Sequence, residues 1–335
     1  MEYGIRIMSI TLRDIANDAG VGMSTVSYVL SGSGVNKVGH ETRKRILASA
    51  EKLGYLPNIG ARGLSCGRTF MVGVLLEEQE FASSFYPDIL QGLEYVLSKR
   101  DYGLLLASYS NEKELKAKCS YLLQRRVDGV AAFSGDWLVD FSSTGQPFLE
   151  KHIPIITMTR PFPGIPAVDI NAFAIGEMAS RYLVGLGHRK IAYAGPEISP
   201  RRAGLLSVLG TDSCPTFGKL TSYDFELGVT LFDWIRNLPE RPTAVVVESD
   251  IAAVALIRTA NAAGWKLPRD LSVVGIDGLD LGKISLPALT SVGQPTFERG
   301  AKTAELLLKM IDGEEVENFF FEPCMIVRES CCRVE

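Results

Sequence analysis

The sequence lacks the features that would carry it into or across a membrane. No stretch approaches the ~18 consecutive apolar residues of a spanning helix, and the opening "MEYGIRIMSITLRD" has neither a signal-peptide apolar core nor a small-residue cleavage site. The expectation is a chain that stays in the cytosol. Cysteine is sparse: Cys66, Cys119, Cys214, Cys324, Cys331 and Cys332 are scattered, without a C-x-x-C pair or a histidine-rich neighbourhood. That argues against a tetrahedral zinc site and for reduced thiols in a reducing compartment, so no metal or cofactor is expected.

Histidine is rarer still. His40, His152 and His188 are the only three, and none has a nucleophile and an acid at a recognisable spacing. "GLGH" and "VVGIDG" fall short of the full G-x-G-x-x-G or Walker pattern, so phosphate-cradling loops find no support. An enzyme is not the reading.

What is present is ordinary globular material, 335 residues with 46% hydrophobic and 22% charged, long enough for two or three domains. The net charge of −4 hides an asymmetry. Residues 1 to 69 carry nine Lys/Arg against five acids, a surplus of +4, while the remaining 266 residues carry 26 basic against 34 acidic side chains, or −8. A small basic head on a large acidic body suggests that only the head meets a polyanion.

Within the head, "TLRDIANDAG" predicts a short helix. Thr11 is the cap, Asp14 lies in the first turn, Leu12, Ile15, Ala16 and Ala19 recur at helical spacing, and Gly20 ends it. After "GVG" a second pattern starts near Met23, with Val26, Val29 and Leu30 on one face and Ser24, Thr25, Ser27 and Tyr28 on the other. Two short helices joined by a glycine-containing turn are the helix-turn-helix signature, whose second helix lies in the major groove. A third helix, "HETRKRILASAEKLGY", supplies Ile46, Leu47, Ala50 and Leu53 to the core and Arg43, Lys44 and Arg45 to its outer face.

The run "TLRDIANDAGVGMSTVSYVLSG…ETRKRILASAEKLGYLPNIGARGL" resembles the DNA-binding head and hinge of the lactose-repressor (LacI/GalR) family of bacterial transcription regulators. The resemblance implies DNA contacts from Thr11, Met23, Ser24, Thr25, Ser27, Tyr28 and Arg43. It also implies a hinge helix over "NIGARGLSCGRT", with Asn58, Ala61 and a base-step wedge at Leu64, ordered only when two subunits bring it to the minor groove. Gly60 and Gly63, each about 1 kcal/mol poorer than alanine in a helix, leave an isolated hinge unfolded. Three positions depart from the family. Gly22 and Gly39 stand where a capping serine is usual, which costs a few tenths of a kcal/mol. Tyr28 stands where arginine is most common, and it offers one hydrogen bond in place of a bidentate grip on guanine.

From Phe70 the pattern alternates apolar strands with amphipathic helices. "FMVGVLL", "YGLLLASY", "DGVAAF", "IPIITM", "RKIAYAG", "PTAVVVES" and "LSVVGID" predict parallel strands of two α/β lobes around a cleft, lined by the loops after Leu76, Met158, Gly195, Glu248 and Ile276. With "GLGHRKIAYAGP", "RPTAVVVESDIAA", "PALTSVGQP" and "IVRES" as landmarks, the body resembles the periplasmic-binding-protein-like effector domain of the same family. Register with the family implies Arg201 and Asp277 at positions that hold ring hydroxyls, with Phe85 or Tyr86 and Tyr223 covering an apolar ring face. Thr159, Arg160, Ser249 and Gln294 complete the implied pocket. The alternative is that Asp277 only caps the next turn and Arg201 only starts a surface helix. Ser249 replaces a usual asparagine, the segment from Gly204 to Thr221 is shorter than usual, and Glu248 leaves room for an amine in the ligand.

The expectation is therefore an α/β protein with a helix-turn-helix head at 1–57, a hinge at 58–69 and a two-lobed effector and dimerisation domain at 70–335. It is read as a regulator, chiefly a repressor, that binds a pseudo-palindromic double-stranded operator as a homodimer or tetramer under control of a sugar or nucleoside-like effector. An activator of the same architecture is the alternative. A free-standing solute-binding protein would need an export signal and no basic head.

Overall fold

A computed structural model describes residues 10–30, 38–55, 67–78, 85–133, 141–210, 214–218 and 225–334. The hinge positions Asn58, Gly60, Ala61, Gly63 and Leu64, together with Cys66 and Tyr223, lie outside them. The chain divides into two compact units, Met1–Phe70 and Met71–Glu335.

The first unit holds helices α1 (Leu12–Ala19), α2 (Met23–Leu30) and α3 (His40–Leu53). Thr11 and Asp14 close a capping box at the start of α1, the Thr11 backbone N–H donating to Asp14 Oδ2 at 2.8 Å, and Gly20 ends the helix at φ 64°. Ile15, Ala16, Ala19, Val26, Val29, Ile46 and Ala50 make the core. Leu47 is not part of it, being 46% exposed. The buried stripe of α3 runs through Ile46, Ser49 and Ala50, because Ser49 turns inward to donate to Asp18 at 2.7 Å, and Lys52 reaches the same carboxylate at 2.7 Å. Leu47 falls off that stripe, on the outer face.

The second unit begins with β1 (Met71–Glu77), α4 (Phe85–Leu97), β2 (Gly103–Tyr109), α5 (Glu112–Gln124), β3 (Gly129–Ala132), α6 (Phe141–Leu149) and β4 (Ile155–Thr157). These strands form a parallel sheet in the order β2-β1-β3-β4. After β5 (Val168–Ile170) the chain builds a second lobe from α7 (Ala172–Gly185), β6 (Ile191–Ala194), α8 (Pro200–Leu209), β7 (Thr216–Phe217), α9 (Phe225–Arg236), β8 (Ala244–Val247), α10 (Asp250–Ala262), β9 (Ser272–Asp277), α11 (Leu281–Ile284) and β10 (Thr290–Gly293). It then returns to the first lobe as α12 (Thr296–Ile311), which packs on α4, and as β11 (Phe319–Phe321), which pairs with β5. A last crossing brings β12 (Cys324–Ile326) to the edge of the second sheet, whose order is β12-β10-β9-β8-β6-β7.

The second sheet is covered on both faces, as its continuous apolar strands require. Ile191, Tyr193, Val246 and Val274 enter one core; Ala192, Ala194, Val245, Val247 and Val273 enter the other. All seven strands read from the sequence are present as β1, β2, β3, β4, β6, β8 and β9. The first and third chain crossings are stitched at Asn171, whose backbone N–H donates to the Phe321 carbonyl at 2.8 Å, whose Nδ2 donates to Glu322 at 3.1 Å, and whose Oδ1 caps α7.

Strand order reverses at one place in each sheet, between β1 and β3 and between β6 and β8. A crevice opens at the carboxyl ends of strands at such a point. Among the described residues, those that follow β6 and β8 lie at this point in the second sheet. Among the described residues no helix is long and apolar enough to cross a membrane, and no group of three or more His, Cys, Asp or Glu side chains is placed to hold a metal.

Candidate functional site

The outward face of α2 is uncharged and open. Met23 and Tyr28 are 56% and 45% exposed, Ser24 and Ser27 are exposed, and Thr25 is half-buried beside the buried Val26 and Val29. Gly22 accepts from the Thr25 and Val26 N–H groups at 3.0 and 3.2 Å, so the missing serine cap does not prevent the helix from starting. Thr11 is spent locally, its hydroxyl donating to Asp14 Oδ2 at 2.7 Å. Arg43 is half-buried in the first turn of α3, with Lys44 and Arg45 exposed beside it. This unit presents hydroxyls and a phenol on the outer face of α2 and cations along α3.

In the second unit, Arg201 and Glu248 meet at the reversal between β6 and β8. Ser199 caps α8, its hydroxyl accepting from the Arg202 N–H at 3.1 Å, and Pro200 opens the helix, which puts Arg201 in the first turn. A methyl at Gly176 would collide with the Arg201 carbonyl oxygen, and one at Gly204 with the Phe173 carbonyl, so α7 and α8 can lie this close only through glycine. Arg201 Nη1 lies 3.5 Å from Glu248 Oε2, with side-chain exposures of 18% and 4%. Tyr193, fully buried, donates its hydroxyl to Glu248 Oε1, and Ser199 donates to the same oxygen at 3.5 Å. Burial, then the Glu248 charge, drive the Tyr193 hydroxyl far above its usual range, so it stays a donor. Glu248, expected to face an amine, thus has both oxygens engaged inside the lobe.

Asp277 ends β9 with φ 125°, a left-handed conformation that a non-glycine residue holds only when its surroundings impose it. The turn that follows it is held by Asp250, which sequence reasoning missed. Fully buried at the start of α10, it accepts from the Leu279 N–H at 2.7 Å and the Ser291 hydroxyl at 2.7 Å, and Ser291 in turn accepts from the Gly278 N–H at 3.0 Å. Asp250, and not Asp277, holds the following turn. Burial pushes Asp250 up to about 6. Burial first, and the Asp250 charge second, raise Asp277 well above the carboxylate range, against the pull of Arg201 and a hydrogen bond from Gln294 Nε2 at 2.9 Å.

Other expected residues take varied places. Ser249 is 1% exposed and caps α10 through the Ala252 N–H at 3.4 Å. Phe85 and Tyr86 open α4 after β1, half-buried, with Tyr86 edge-on to Phe133 at 4.8 Å between ring centroids. Arg160 lies over the Phe162 ring at 4.9 Å, and its carbonyl accepts from Thr157 Oγ1 at 2.8 Å; Thr159 Oγ1 is buried without a hydrogen-bond partner among the described residues. Sequence reasoning also missed a buried ion pair, Arg299 Nη2 to Asp169 Oδ1 at 2.7 Å. Arg299 also donates to the Met158 carbonyl and, through Nε, to Val168 O at 3.3 Å, tying the ends of β4 and β5 to α12. Burial raises Asp169, with Arg299 and then Arg201 opposing it.

Three family descriptions match this chain in series. Residues 11–58 match bacterial regulatory proteins of the lacI family, residues 69–204 match periplasmic binding proteins and the sugar-binding domain of the LacI family, and residues 180–331 match a periplasmic binding protein-like domain. The HTH-type transcriptional repressor PurR of Edwardsiella ictaluri is 31% identical over 334 residues, covering 96% of each chain. The chain belongs to the lacI family of bacterial regulatory proteins.

Other lacI-family members share the arrangement along the whole length. The HTH-type transcriptional regulator CelR of Thermobifida fusca is 32% identical, covering 96% of this chain and 98% of its own. Among solved structures, a transcriptional regulator CelR–cellobiose complex superposes with a TM-score of 0.69 at 31% identity, covering 96% of this chain and 99% of that one. The lac repressor dimer bound to operator and an anti-inducer gives 0.83 at 22% identity, over 97% and 99% of the two chains, which shows the shared fold.

Proposed function

We propose that this lacI-family chain is a sequence-specific, DNA-binding transcription regulator, chiefly a repressor, that works in the cytoplasm as a homodimer and has no catalytic role. Residues 1–57 read DNA, residues 58–69 form the hinge, and residues 70–335 bind a small-molecule effector and dimerise. The observation that carries this reading is the open, uncharged outer face of α2, presenting Ser24, Ser27 and Tyr28, in a chain whose second unit has a switch-point cleft.

One head presents one reading helix, so specificity requires two heads on an inverted repeat. Within each half-site Ser24, Thr25, Ser27 and Tyr28 face base edges, Arg43 faces phosphate, and Asn58, Ala61 and Leu64 meet the minor groove. In the cleft Arg201, Asp277 and Gln294 form the polar floor and Phe85 and Tyr86 an aromatic wall. Thr159 and Arg160 contribute from the other lobe, Ser249 from below, and Tyr223 completes the set. A sugar or related metabolite fits carboxylate, guanidinium and aromatic groups together. The cellobiose held by the CelR relative supports the same class.

Selection from a randomised duplex library tests the reading. The full-length protein enriches a pseudo-palindrome whose half-sites lie about one helical turn apart. Enrichment of a sequence without an inverted repeat, or no enrichment, overturns it.

A further inference from the structure

Asp277 and Gln294 leave two acceptors side by side with nothing to fill them. Asp277 is partly exposed and accepts from Gln294 Nε2 through Oδ1; its other oxygen has no hydrogen-bond donor among the described residues. Gln294 is 9% exposed, and its Oε1 is buried without a partner among the described residues. Burial and the Asp250 charge favour the protonated Asp277 carboxyl, and a cation beside its second oxygen restores the carboxylate. A buried acceptor without a donor is costly, so the arrangement makes sense with a ligand that donates to both positions.

The surrounding charge says which donor fits. Arg201 lies within electrostatic reach of Asp169, Glu248 and Asp277. Arg299 offsets Asp169, and Glu248 is closed off by Tyr193, Ser199 and Arg201. Asp250 adds a further carboxylate close enough to act on Asp277. A hydroxyl donates once and turns its own lone pairs toward these acids. An ammonium has three donors and no acceptor. An acidic ligand would compete with Glu248 for Arg201 and add a negative charge where Asp250 and Glu248 already disfavour ionisation of Asp277.

We propose that the effector is a polyol carrying an ammonium group, an amino sugar in chemical class, whose nitrogen bridges the second oxygen of Asp277 and the side-chain carbonyl of Gln294 while its hydroxyls face Arg201. This rests on the effector-cleft reading above and narrows its ligand.

Titration calorimetry on the full-length protein tests it, using glucosamine, galactosamine and mannosamine, their neutral parent hexoses, their N-acetyl forms, and glucuronate and galacturonate. At least one amine binds about tenfold more tightly than its parent, the gain expected of one charge-assisted hydrogen bond. N-acetylation removes the gain, the uronates do not bind, and Asp277→Asn brings amine and parent level. A neutral hexose or a uronate binding as tightly as every amine overturns the amine assignment and leaves the sugar cleft standing. Absence of binding by all of them overturns both.

Discussion

The Arg201 guanidinium and the Glu248 carboxylate stand 3.5 Å apart where the strand order of the second lobe reverses, the acid almost wholly buried and the base mostly so. Such a pair is expensive to desolvate and is tolerated only when the remaining oxygens are satisfied, which Tyr193 and Ser199 accomplish. Glu248 therefore fixes where Arg201 points. Tyr193→Phe removes a donor from a buried carboxylate and lowers stability by about 1–3 kcal/mol in urea unfolding. Glu248→Gln lowers it comparably and frees the Arg201 charge, so uronates that the parent protein rejects gain affinity. A variant as selective as the parent would show that Glu248 takes no part in choosing the ligand.

Asp250 makes stability depend on pH in a definite direction. Its folded value, about 6, lies above the usual 3.8, so the folded state favours the protonated form. That contribution is complete below about pH 4 and is lost as pH rises through about 6. Asp250→Asn keeps an acceptor for the Leu279 N–H but cannot ionise. Relative to the parent, the variant therefore gains stability between about pH 4 and 6, by up to about 3 kcal/mol. Parallel pH profiles in urea unfolding would contradict this.

Gly176→Ala forces α7 off the Arg201 carbonyl and costs about 1–3 kcal/mol of overpacking. Gly185→Ala, on the same helix, meets nothing within 4 Å and is the matched control, neutral or stabilising by up to about 1 kcal/mol. Thermal unfolding of the two variants separates close approach from helix propensity.

On DNA the head separates into readers and anchors. Tyr28→Ala alters preference at one position of each half-site by about 1–3 kcal/mol, whereas Arg43→Ala weakens all sequences alike and lowers the salt slope by about one unit. Binding measured against operator variants over a salt series distinguishes them, and a uniform loss for Tyr28→Ala would remove it from the reading face.

Much of this was legible because the signals are local. The Thr11–Asp14 box, Gly20 and the apolar period of α1 lie within ten residues, and each strand read correctly has at least three residues in a longer apolar run. In β5, β7 and β10 the apolar run is broken by Asp169, by Thr216, and by Thr290 and Ser291. Leu47 was misplaced because the side on which α3 packs is decided by Asp18, which lies on α1. Arg201 and Asp277 came from register with a family. Asp250 and Arg299 carry no local mark, since their partners Ser291 and Asp169 lie 41 and 130 residues away and meet them only after the lobes have folded.

The central claim is that the cleft sets the grip of the head on its operator. The most direct measurement is operator affinity of the full-length protein with and without the sugar found to bind in calorimetry, for the parent and Asp277→Asn. The account predicts that the ligand shifts the parent's operator Kd by about fivefold or more, and that the variant needs about tenfold more ligand for the same shift. A ligand that binds the cleft and leaves the parent's operator affinity unchanged would contradict it.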